Sequence, residues 1–351
     1  MASFRPATSV RRSSLLRNGF RGGGPGDGAA SSFFRTPISS ETRGGYNLPV
    51  ESTTDTPRFE HTVAVIGAGK VGQALASLLR KAGADITAVT ARRTEAADAA
   101  ALVTGGRATT DNVSAALSAR VVLVTVGDDA LQGAVRSVAA GGGWSADQFV
   151  AHASGVHGLA PLAPAAQSGA RVACIHPLQS FANVHHALRE IPGSVFGVTA
   201  TGDALAIAER LVRAVGGVPA EVSEQHKALY HAAATVASNH LVVLEDMASE
   251  MFVHSGLHDD VARDALWPLL RGTVANIRRL GTRDALTGPV ARGDVETVRR
   301  HLIALEELPL RYREAYRTLA AHAVDIAISR GDIDETTATE LQRLLAEEGT
   351  S

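Results

Sequence analysis

The most constraining feature of the sequence is a short apolar run that leads directly into a glycine-rich turn. Residues 62–66 read Thr-Val-Ala-Val-Ile, and the next glycines follow the spacing G-x-G-x-x-G before a helical pattern begins. Such glycines allow a tight turn, close approach of the backbone to a pyrophosphate, and close packing of helix on strand. The helix N-terminus adds free N–H groups that favour phosphate. The segment predicts a dinucleotide-binding loop made of Gly67, Ala68, Gly69, Lys70, Val71 and Gly72.

The end of the next apolar run indicates which dinucleotide is bound. Residues 86–90 end at Thr90, and Arg92 and Arg93 follow almost directly. An NAD site usually has Asp or Glu here for the ribose 2′-OH, whereas guanidinium groups suit a 2′-phosphate. We therefore predict NADP(H) as the cofactor, with Thr90, Arg92 and Arg93 at the 2′-phosphate. The alternative interpretation of the two arginines is a solvated loop.

Apolar strand-like runs alternate with helical stretches from residue 62 to about residue 222. The predicted strands are 62–66, 85–90, 120–126, 148–152, 171–175, 195–200 and 218–222. The helices predicted between them are 69–81, 94–103, 129–139 and 203–215. This alternation predicts an α/β fold with a doubly wound parallel Rossmann sheet.

The strand signals end after residue 222, and only helical patterns follow. These helices are predicted at 224–255, 259–281, 294–307, 309–330 and 333–347. We therefore expect an NADP-binding Rossmann domain at 61–222 and an all-helical substrate and dimerisation domain at 223–351. The cleft between two such domains is the natural position for a site.

Residues 1–60 differ from the rest because they are rich in Arg, Ser, Gly and Pro and have no apolar periodicity. The first 26 residues contain five arginines and no acidic residue, which is typical of an organelle transit peptide. The strong Ala, Arg, Gly and Val bias and the three lysines of the chain suggest a GC-rich genome instead. We therefore favour a disordered bacterial extension, or a start codon placed too early, and a cytoplasmic protein.

The composition argues against several classes of function. The net charge of −2 offers no electrostatic basis for nucleic-acid binding. No apolar run approaches the roughly 20 residues of a membrane-spanning helix. The single cysteine, Cys174, lies in an apolar run without a cluster of potential ligands, so we predict a buried structural thiol and no metal site.

One of the three lysines opens the first helix predicted after residue 222. Lysine, unlike arginine, can lose its proton when it is desolvated and can act as an acid or a base. On a helix, Lys227, His231, Thr235 and Ser238 share one face, and Asn239 lies at its edge. Small residues separate them, which is typical of one wall of an enclosed polar site. The alternative is a surface lysine with a core histidine.

Polar residues also follow the predicted strands where parallel strands usually hold ligands. Val126 ends one strand, His152 and Ser154 follow the next, and His176 follows the one after it. We predict that Val126, His152 and Ser154 contact the cofactor and that His176 contacts the substrate. Turn chemistry is the alternative, although it explains neither histidine.

A third cluster reads Leu-Thr-Gly-Pro-Val-Ala-Arg-Gly-Asp at 286–294. Thr287, Arg292 and nearby backbone N–H groups could surround an anion, since arginine binds carboxylates through two parallel hydrogen bonds. An ordinary loop between helices, capped by Asp294, is equally compatible with the local pattern.

Together these motifs resemble a known group of proteins. The glycine turn, His-x-Ser-Gly at 152–155, His-Pro-Leu-Gln-Ser-Phe at 176–181, Lys-x-x-Tyr-His at 227–231 and the motif at 286–294 resemble Rossmann-like predicted NADP oxidoreductases with a helical C-terminal domain of unknown function. The resemblance covers about residues 61–330. The group is similar in layout to ketopantoate reductases, pyrroline-5-carboxylate reductases and the 6-phosphogluconate and 3-hydroxyisobutyrate dehydrogenases.

The resemblance implies a homodimer through the helical domains with a partly shared active site. In the hydroxyacid dehydrogenases a catalytic lysine is followed four residues later by asparagine, where this chain has His231 after Lys227. This departure leaves open which of the two groups donates the proton.

The function expected from these features is NADPH-dependent reduction of a small carboxylate-bearing carbonyl compound, with 2-dehydropantoate as the best single candidate. Lys227 would donate a proton, His231 would relay it, and Asn239 would hydrogen-bond the substrate. Ser238, His176, Thr287 and Arg292 would complete the substrate site. The alternatives are reduction of a cyclic imine, deazaflavin-linked NADP reduction, and a non-catalytic NADP-binding sensor.

Overall fold

The computed structural model describes residues 57–346 of the 351-residue chain. Within that range eight strands form one sheet in the order β3-β2-β1-β4-β5-β6-β7-β8. The strands are β1 Thr62–Ile66, β2 Asp85–Thr90, β3 Arg107–Thr109, β4 Val121–Val124, β5 Phe149–His152, β6 Arg171–Pro177, β7 Val195–Ala200 and β8 Val218–Glu221.

Helices follow most strands and make up the chain after β8. They are α1 Lys70–Lys81, α2 Thr94–Thr104, α3 Asn112–Leu117, α4 Asp128–Ala140, α5 Ala163–Gln167, α6 Val184–Glu190, α7 Asp203–Ala214, α8 Lys227–Ala237, α9 Asn239–His254, α10 Asp259–Leu280, α11 Val295–Ala304, α12 Leu310–Arg330 and α13 Glu335–Ala346.

Both faces of the sheet are covered, as the doubly wound prediction requires. Because successive strand residues point to opposite faces, Val63 and Val65 of β1 pack in one core with residues of α1, α6 and α7. Ile66 packs in a second core with residues of α3 and α4. The prediction of a Rossmann sheet followed by a helical region is confirmed.

Four short elements between β1 and β8 were not predicted, and the last two strands, β7 and β8, run opposite to the others. The edge strand β3 has only three residues, and α3, α5 and α6 have six, five and seven, which is too short for a clear periodic signal. β7 pairs with β6 in antiparallel orientation, whereas all the other strand pairs of the described sheet are parallel. The predicted all-parallel sheet is therefore wrong at this pair.

The predicted extension 1–60 lies almost entirely outside the described residues. Phe59 is an exception, because its side chain is buried in the core that contains Val63 and Leu79. Its backbone N–H donates to the carbonyl oxygen of Ala82 at 2.8 Å. The packed structure thus begins slightly before residue 61.

The single helix predicted at 224–255 is instead a short 3-10 turn, Glu224–His226, followed by α8 and α9. The chain bends at Ser238, whose φ of −119° and ψ of −67° depart from helical values. The backbone hydrogen bonds continue across the bend, from Ser238 N to Ala234 O at 3.1 Å and from Val242 N to Ser238 O at 3.3 Å. Within residues 57–346, no helix combines the length and the apolar character needed to cross a membrane.

Candidate active site at the carboxyl ends of the strands

The glycine loop joins β1 to α1 and leaves an exposed backbone cradle. Gly67 has a φ of +91°, which side-chain-bearing residues rarely adopt. A Cβ on Gly72 would lie 2.8 Å from the carbonyl oxygen of Gly67, so the helix can approach the strand only with glycine there. Gly69 precedes α1 without a side-chain cap, which leaves the first N–H groups of the helix available to an anion. These features fit the predicted pyrophosphate site.

Thr90 supports this loop from below. Its hydroxyl accepts a hydrogen bond from Gly67 N at 3.2 Å and donates one to Asn112 Oδ1 at 2.7 Å. Because the side chain is buried and both hydrogen bonds are internal, Thr90 supports the loop, and its contact with the phosphate stays a prediction. Arg92 and Arg93 are exposed directly after β2, where they are free to face a ribose phosphate.

The His152 ring stabilises the loop that follows β5. Its Nε2 lies 2.7 Å from the carbonyl oxygen of Gly158, and its Nδ1 accepts from Ser154 N at 3.1 Å. Since Nδ1 accepts, Nε2 carries the ring proton. Burial lowers the pKa of His152 to about 4. Both ring nitrogens are used internally and position the loop, and a contact of the ring with the cofactor stays a prediction.

Ser154 is also engaged within this loop. Its hydroxyl accepts from His157 N at 3.1 Å, and its carbonyl oxygen accepts from Cys174 Sγ, also at 3.1 Å. The Ser154 side chain thus holds the loop together, and its contact with the cofactor stays a prediction. Val126 follows β4 against the glycine loop, because a Cβ on Gly67 would lie only 2.8 Å from Val126 N.

Lys227 is buried, with a side-chain environment that the sequence did not predict. Its exposed fraction is 2%, which excludes the interpretation as a surface lysine. Its Nζ donates to Cys174 Sγ at 3.1 Å and lies 5.2 Å from the centroid of the Tyr230 ring. Burial raises the pKa of the Cys174 thiol, although the charge of Lys227 opposes that shift. Cys174 is thus buried, as predicted, but it is also the partner of Lys227.

Above this pair, three rings of β6 and α8 form a cluster. Tyr230 OH lies 3.0 Å from His176 Nδ1, and the His176 and His231 ring centroids are 5.9 Å apart in a T-shaped arrangement. A Cβ on Gly155 would lie 2.8 Å from His176 Nε2 and 3.0 Å from His231 Nε2. The absence of a side chain at Gly155 therefore allows both imidazoles to approach the loop after β5.

A cavity of about 600 Å³ opens beside these rings. Four of the predicted site residues line it together, namely His176, His231, Ser238 and Asn239. The segment 178–181 after β6 forms the opposite wall, and Lys70 Nζ donates to the carbonyl oxygen of Phe181 at 3.3 Å. This hydrogen bond joins the cavity wall to the glycine loop, so the two predicted half-sites are neighbours.

Three predicted residues are not among the described residues that line the cavity: Lys227, Thr287 and Arg292. Lys227 lies behind the rings, in contact with Tyr230. Thr287 and Arg292 are exposed on the loop before α11, where Asp294 caps the helix by accepting from Thr297 N at 3.0 Å. Within one chain, this loop has the geometry of an ordinary helix cap.

Two domain models match the sequence. Residues 48–177 match a Rossmann-like domain, and residues 194–323 match a domain of unknown function (DUF2520). The chain carries a Rossmann-like domain followed by this domain of unknown function. No curated protein is similar enough to the chain to count as a match.

Several solved structures share the fold. An NADP oxidoreductase of provisional assignment from Bacteroides fragilis is 21% identical with a TM-score of 0.61, over 75% of this chain and 98% of that one. A pyrroline-5-carboxylate reductase from Coxiella burnetii is 19% identical with a TM-score of 0.51, and the match covers 82% of this chain and 99% of the reductase. A reductive aminase from Aspergillus terreus, in complex with NADPH and ethyl levulinate, is 17% identical with a TM-score of 0.58. The match covers 81% of this chain and 99% of the aminase. At these identities the likeness establishes the fold.

Sequence reasoning missed the partners that organise the site. Tyr230 lies three residues after Lys227, a helical spacing that could have indicated a shared face. Glu224 accepts from Leu159 N through both carboxylate oxygens, at 2.8 and 2.9 Å, and fixes the loop after β5 to the start of α8. No local pattern relates these residues, because the contact joins positions 65 apart in the sequence.

Proposed function

We propose that this protein is an NADPH-dependent reductase of a small carbonyl compound that carries a carboxylate. The observation that supports this most directly is the junction of the two half-sites. The glycine loop, which suits a dinucleotide, is hydrogen-bonded through Lys70 to the wall of a cavity that contains two imidazole rings. A ligand of the glycine loop and a second small molecule in the cavity would therefore be adjacent.

The residues at the glycine loop fit NADP(H) in chemistry and in space. The uncapped N-terminus of α1 would bind the pyrophosphate, and Arg92 and Arg93 would bind the 2′-phosphate. When bound, the nicotinamide supplies the hydride for the reduction. The neighbours from B. fragilis and A. terreus, named for NADP and solved with NADPH respectively, support the same cofactor.

The residues of the cavity would provide the proton and stabilise the oxygen. We propose that His231 delivers the proton to the nascent alkoxide, since its ring lines the cavity. Asn239 would hydrogen-bond the substrate. Lys227 is buried, so we assign it an electrostatic role in place of direct contact with the substrate. Its positive charge, held in a desolvated environment, favours negative charge developing on the substrate oxygen.

The anchor for the carboxylate is proposed to come from a second copy of the chain. No arginine or lysine is among the described residues that line the cavity. Thr287 and Arg292 are exposed, and they would complete the site if the helical regions of two copies packed together, as the resemblance implies. The exposed apolar residues of α9 and α10, which include Val242 and Trp267, support such a homodimer.

The dimer can be tested with the two tryptophans of the chain, of which Trp144 is buried and Trp267 is 60% exposed. The variant Trp144→Phe leaves Trp267 as the only reporter. We expect blue-shifted Trp267 emission that moves to the red on dilution, and Trp267→Glu should sediment as a monomer. A wild-type monomer at every concentration, with solvent-like Trp267 emission, would exclude this interface.

The activity is tested by following the loss of NADPH absorbance after 2-dehydropantoate is added to the purified protein. We expect turnover in the wild type and a kcat lower by roughly 10²–10³ in Lys227→Ala, the usual range for loss of a group that stabilises the developing oxyanion. Lys227→Met retains most of the buried volume without the charge and should be equally slow. Wild-type kcat in both variants would reject a role for this lysine.

Reduction of a cyclic imine is the second candidate, supported by the fold shared with the pyrroline-5-carboxylate reductase. An imine needs less acid catalysis than a ketone, so turnover of pyrroline-5-carboxylate that survives Lys227→Ala would favour it. Tight NADPH binding without turnover of carbonyl compounds, imines or deazaflavin would indicate a sensor instead.

A further inference from the structure

The phenol of Tyr230 occupies a space that only glycine leaves open. In the antiparallel pair of β6 and β7, Gly197 lies opposite His176. A Cβ on Gly197 would lie 2.7 Å from the Tyr230 hydroxyl, so any other residue would displace the ring. The Tyr230 and His176 rings meet edge to face at 88°, with their centroids 5.6 Å apart. The tyrosine is therefore held in one position against the His176 ring.

The hydrogen bonds around this phenol determine which nitrogen of His176 carries the proton. Burial raises the pKa of Tyr230, so the phenol keeps its proton at neutral pH. The unprotonated nitrogen of a neutral imidazole is a much better acceptor than a phenol oxygen, and the phenol O–H is a good donor. The phenol proton is then donated to His176 Nδ1, at 3.0 Å. His176 consequently carries its own proton on Nε2.

The surrounding groups keep the ring neutral. Burial lowers the pKa of His176 to about 4, and the charges of Lys227 and His231 on α8 lower it further. His152 on β5 acts in the same direction, and Asp128 at the start of α4 opposes them. A neutral imidazole is a poor source of a whole proton, but its N–H is a good hydrogen-bond donor to an oxygen.

We infer that Tyr230 is a positioning residue that holds His176 as the neutral Nε2–H tautomer, and that this N–H polarises the carbonyl oxygen of the substrate. The inference rests on the proposed function and narrows its substrate class. Because Tyr230 occupies Nδ1, Nε2 is the ring nitrogen that His176 can offer to a molecule in the cavity that it lines. A ketone or aldehyde oxygen has lone pairs to accept it, whereas a protonated imine nitrogen has none. In this arrangement His176 donates a hydrogen bond to the substrate oxygen, and His231 delivers the proton.

The tautomer is measured directly in the full-length protein by long-range ¹H–¹⁵N correlation spectra of its histidine rings. The signals of His176 are those lost in His176→Gln. We expect an unprotonated Nδ1 and a protonated Nε2 at pH 7 and still at pH 5, and a mixture of tautomers in Tyr230→Phe. A proton on Nδ1, or on both nitrogens, in the wild type at pH 7 would overturn the inference.

Two replacements of His176 test the donor, because each can place an amide N–H at the position of a different ring nitrogen. The glutamine amide of His176→Gln can place an N–H near the position of Nε2, whereas the amide of His176→Asn reaches only the position of Nδ1. With a carbonyl substrate we expect kcat/KM to fall by about tenfold or less in the glutamine variant and by roughly 10²–10³ in the asparagine variant, the usual loss for one oxyanion donor. Equal losses in the two variants would overturn the role of Nε2.

Tyr230→Phe distinguishes positioning from a general structural role. It should lower kcat/KM by about tenfold in the wild type and have no further effect in the His176→Gln background, because an amide has no tautomer to fix. An equal loss in both backgrounds would assign Tyr230 another role. NADPH affinity and thermal unfolding serve as controls, and both should match the wild type in Tyr230→Phe.

The outcomes also separate this inference from the proposed function. If NADPH binds but no carbonyl compound is reduced by the wild type, the proposed function fails, and the donor role that rests on it fails too. In that case the spectra test only the tautomer of His176. If ketones are reduced while the spectra show Nδ1–H, the function stands and the inference is rejected.

Discussion

Two helices of similar length bury very different amounts of surface. In α1, seven of the twelve residues are buried, among them Leu75 and Leu79, whereas none of the sixteen residues of α9 is buried. Yet α9 contains Leu241, Val242, Val243 and Leu244 in succession, all exposed. Helix α1 lies on a sheet that removes its apolar stripe from water. Helix α9 shows that apolar residues in a sequence need not have a partner within their own chain.

The same contrast extends to the neighbouring elements. Helices α11, α12 and α13 share a core of their own that includes Val298, Val324 and Leu341. In α8 the only buried residue is Lys227, and in α10 they are Ala262 and Leu266. Helices α8 and α9, which contribute to the candidate cavity, and α10 after them therefore bury few of their residues. This is the expected arrangement if a second copy supplies the missing contacts.

The largest expected difference between the sheet core and α9 is in the effect of truncating one side chain in each. Replacing Phe196, which is 0% exposed in the sheet core, by alanine should lower the free energy of unfolding by about 3–5 kcal/mol. Replacing Val242, which is 68% exposed, by alanine should lower the free energy of unfolding by less than about 0.5 kcal/mol if α9 remains in solvent. Urea denaturation measures both. A loss for Val242→Ala that exceeds this bound, and grows with protein concentration, would show that another copy covers α9.

A second prediction uses pH, because only the sheet region holds a fully buried histidine among the described residues. The pKa of His152 is lowered from 6.5 to about 4 in the folded state, so the unfolded state takes up its proton first as the pH falls. Stability from this residue is complete above pH 6.5 and is lost toward pH 4, by up to about 3 kcal/mol.

The measurement is urea denaturation at several pH values between 7 and 4. The variant His152→Gln lacks the titrating ring and provides the comparison, so its unfolding free energy should depend less on pH than that of the wild type. A wild-type unfolding free energy that stays constant between pH 6.5 and 5 would contradict the neutral, buried state of His152.

The smallest expected effect concerns the exposed arginines after β2. Replacing Arg92 and Arg93 together by alanine should weaken NADPH binding by about tenfold, or roughly 1.4 kcal/mol, and leave NADH binding unchanged. Fluorescence titration of both nucleotides measures the change. Arg189→Ala, in the last turn of α6, serves as a control for a lost positive charge. Equal weakening for the two nucleotides would remove the assignment of these arginines to the 2′-phosphate.

The sequence predicted the sheet better than the site, for a physical reason. Strands β1 and β2 were predicted with their observed bounds, because β-branched residues flanked by turn signals form a strong local pattern. The helix boundary at Ser238 was missed because a bend of one residue barely alters a 3.6-residue period. The face that joins His231, Ser238 and Asn239 was nevertheless predicted, since helical spacing places such residues on one side and all three line the cavity.

The contacts that define the site could not be predicted in this way. Lys227 and its partner Cys174 are 53 residues apart, and Tyr230 and His176 are 54 apart. Each pair joins a helix to a strand, and helical spacing carries no information about which strand lies beneath a given turn. The lysine was identified as unusual from composition, but its burial depends on packing across the two halves of the chain.

The reversed pair of β6 and β7 restricts how the chain between them can change in length. His176 lies opposite Gly197, and alternate residues of a strand point to opposite faces of the sheet. A one-residue insertion or deletion that slipped this register would bring Phe196 or Val198 opposite the histidine, and with it a side chain into the position of the tyrosine ring. The segment 178–194 is exposed in large part, where loops usually tolerate insertions. Here the register couples its length to the site, so insertions should be accepted only where they leave the strand pairing intact.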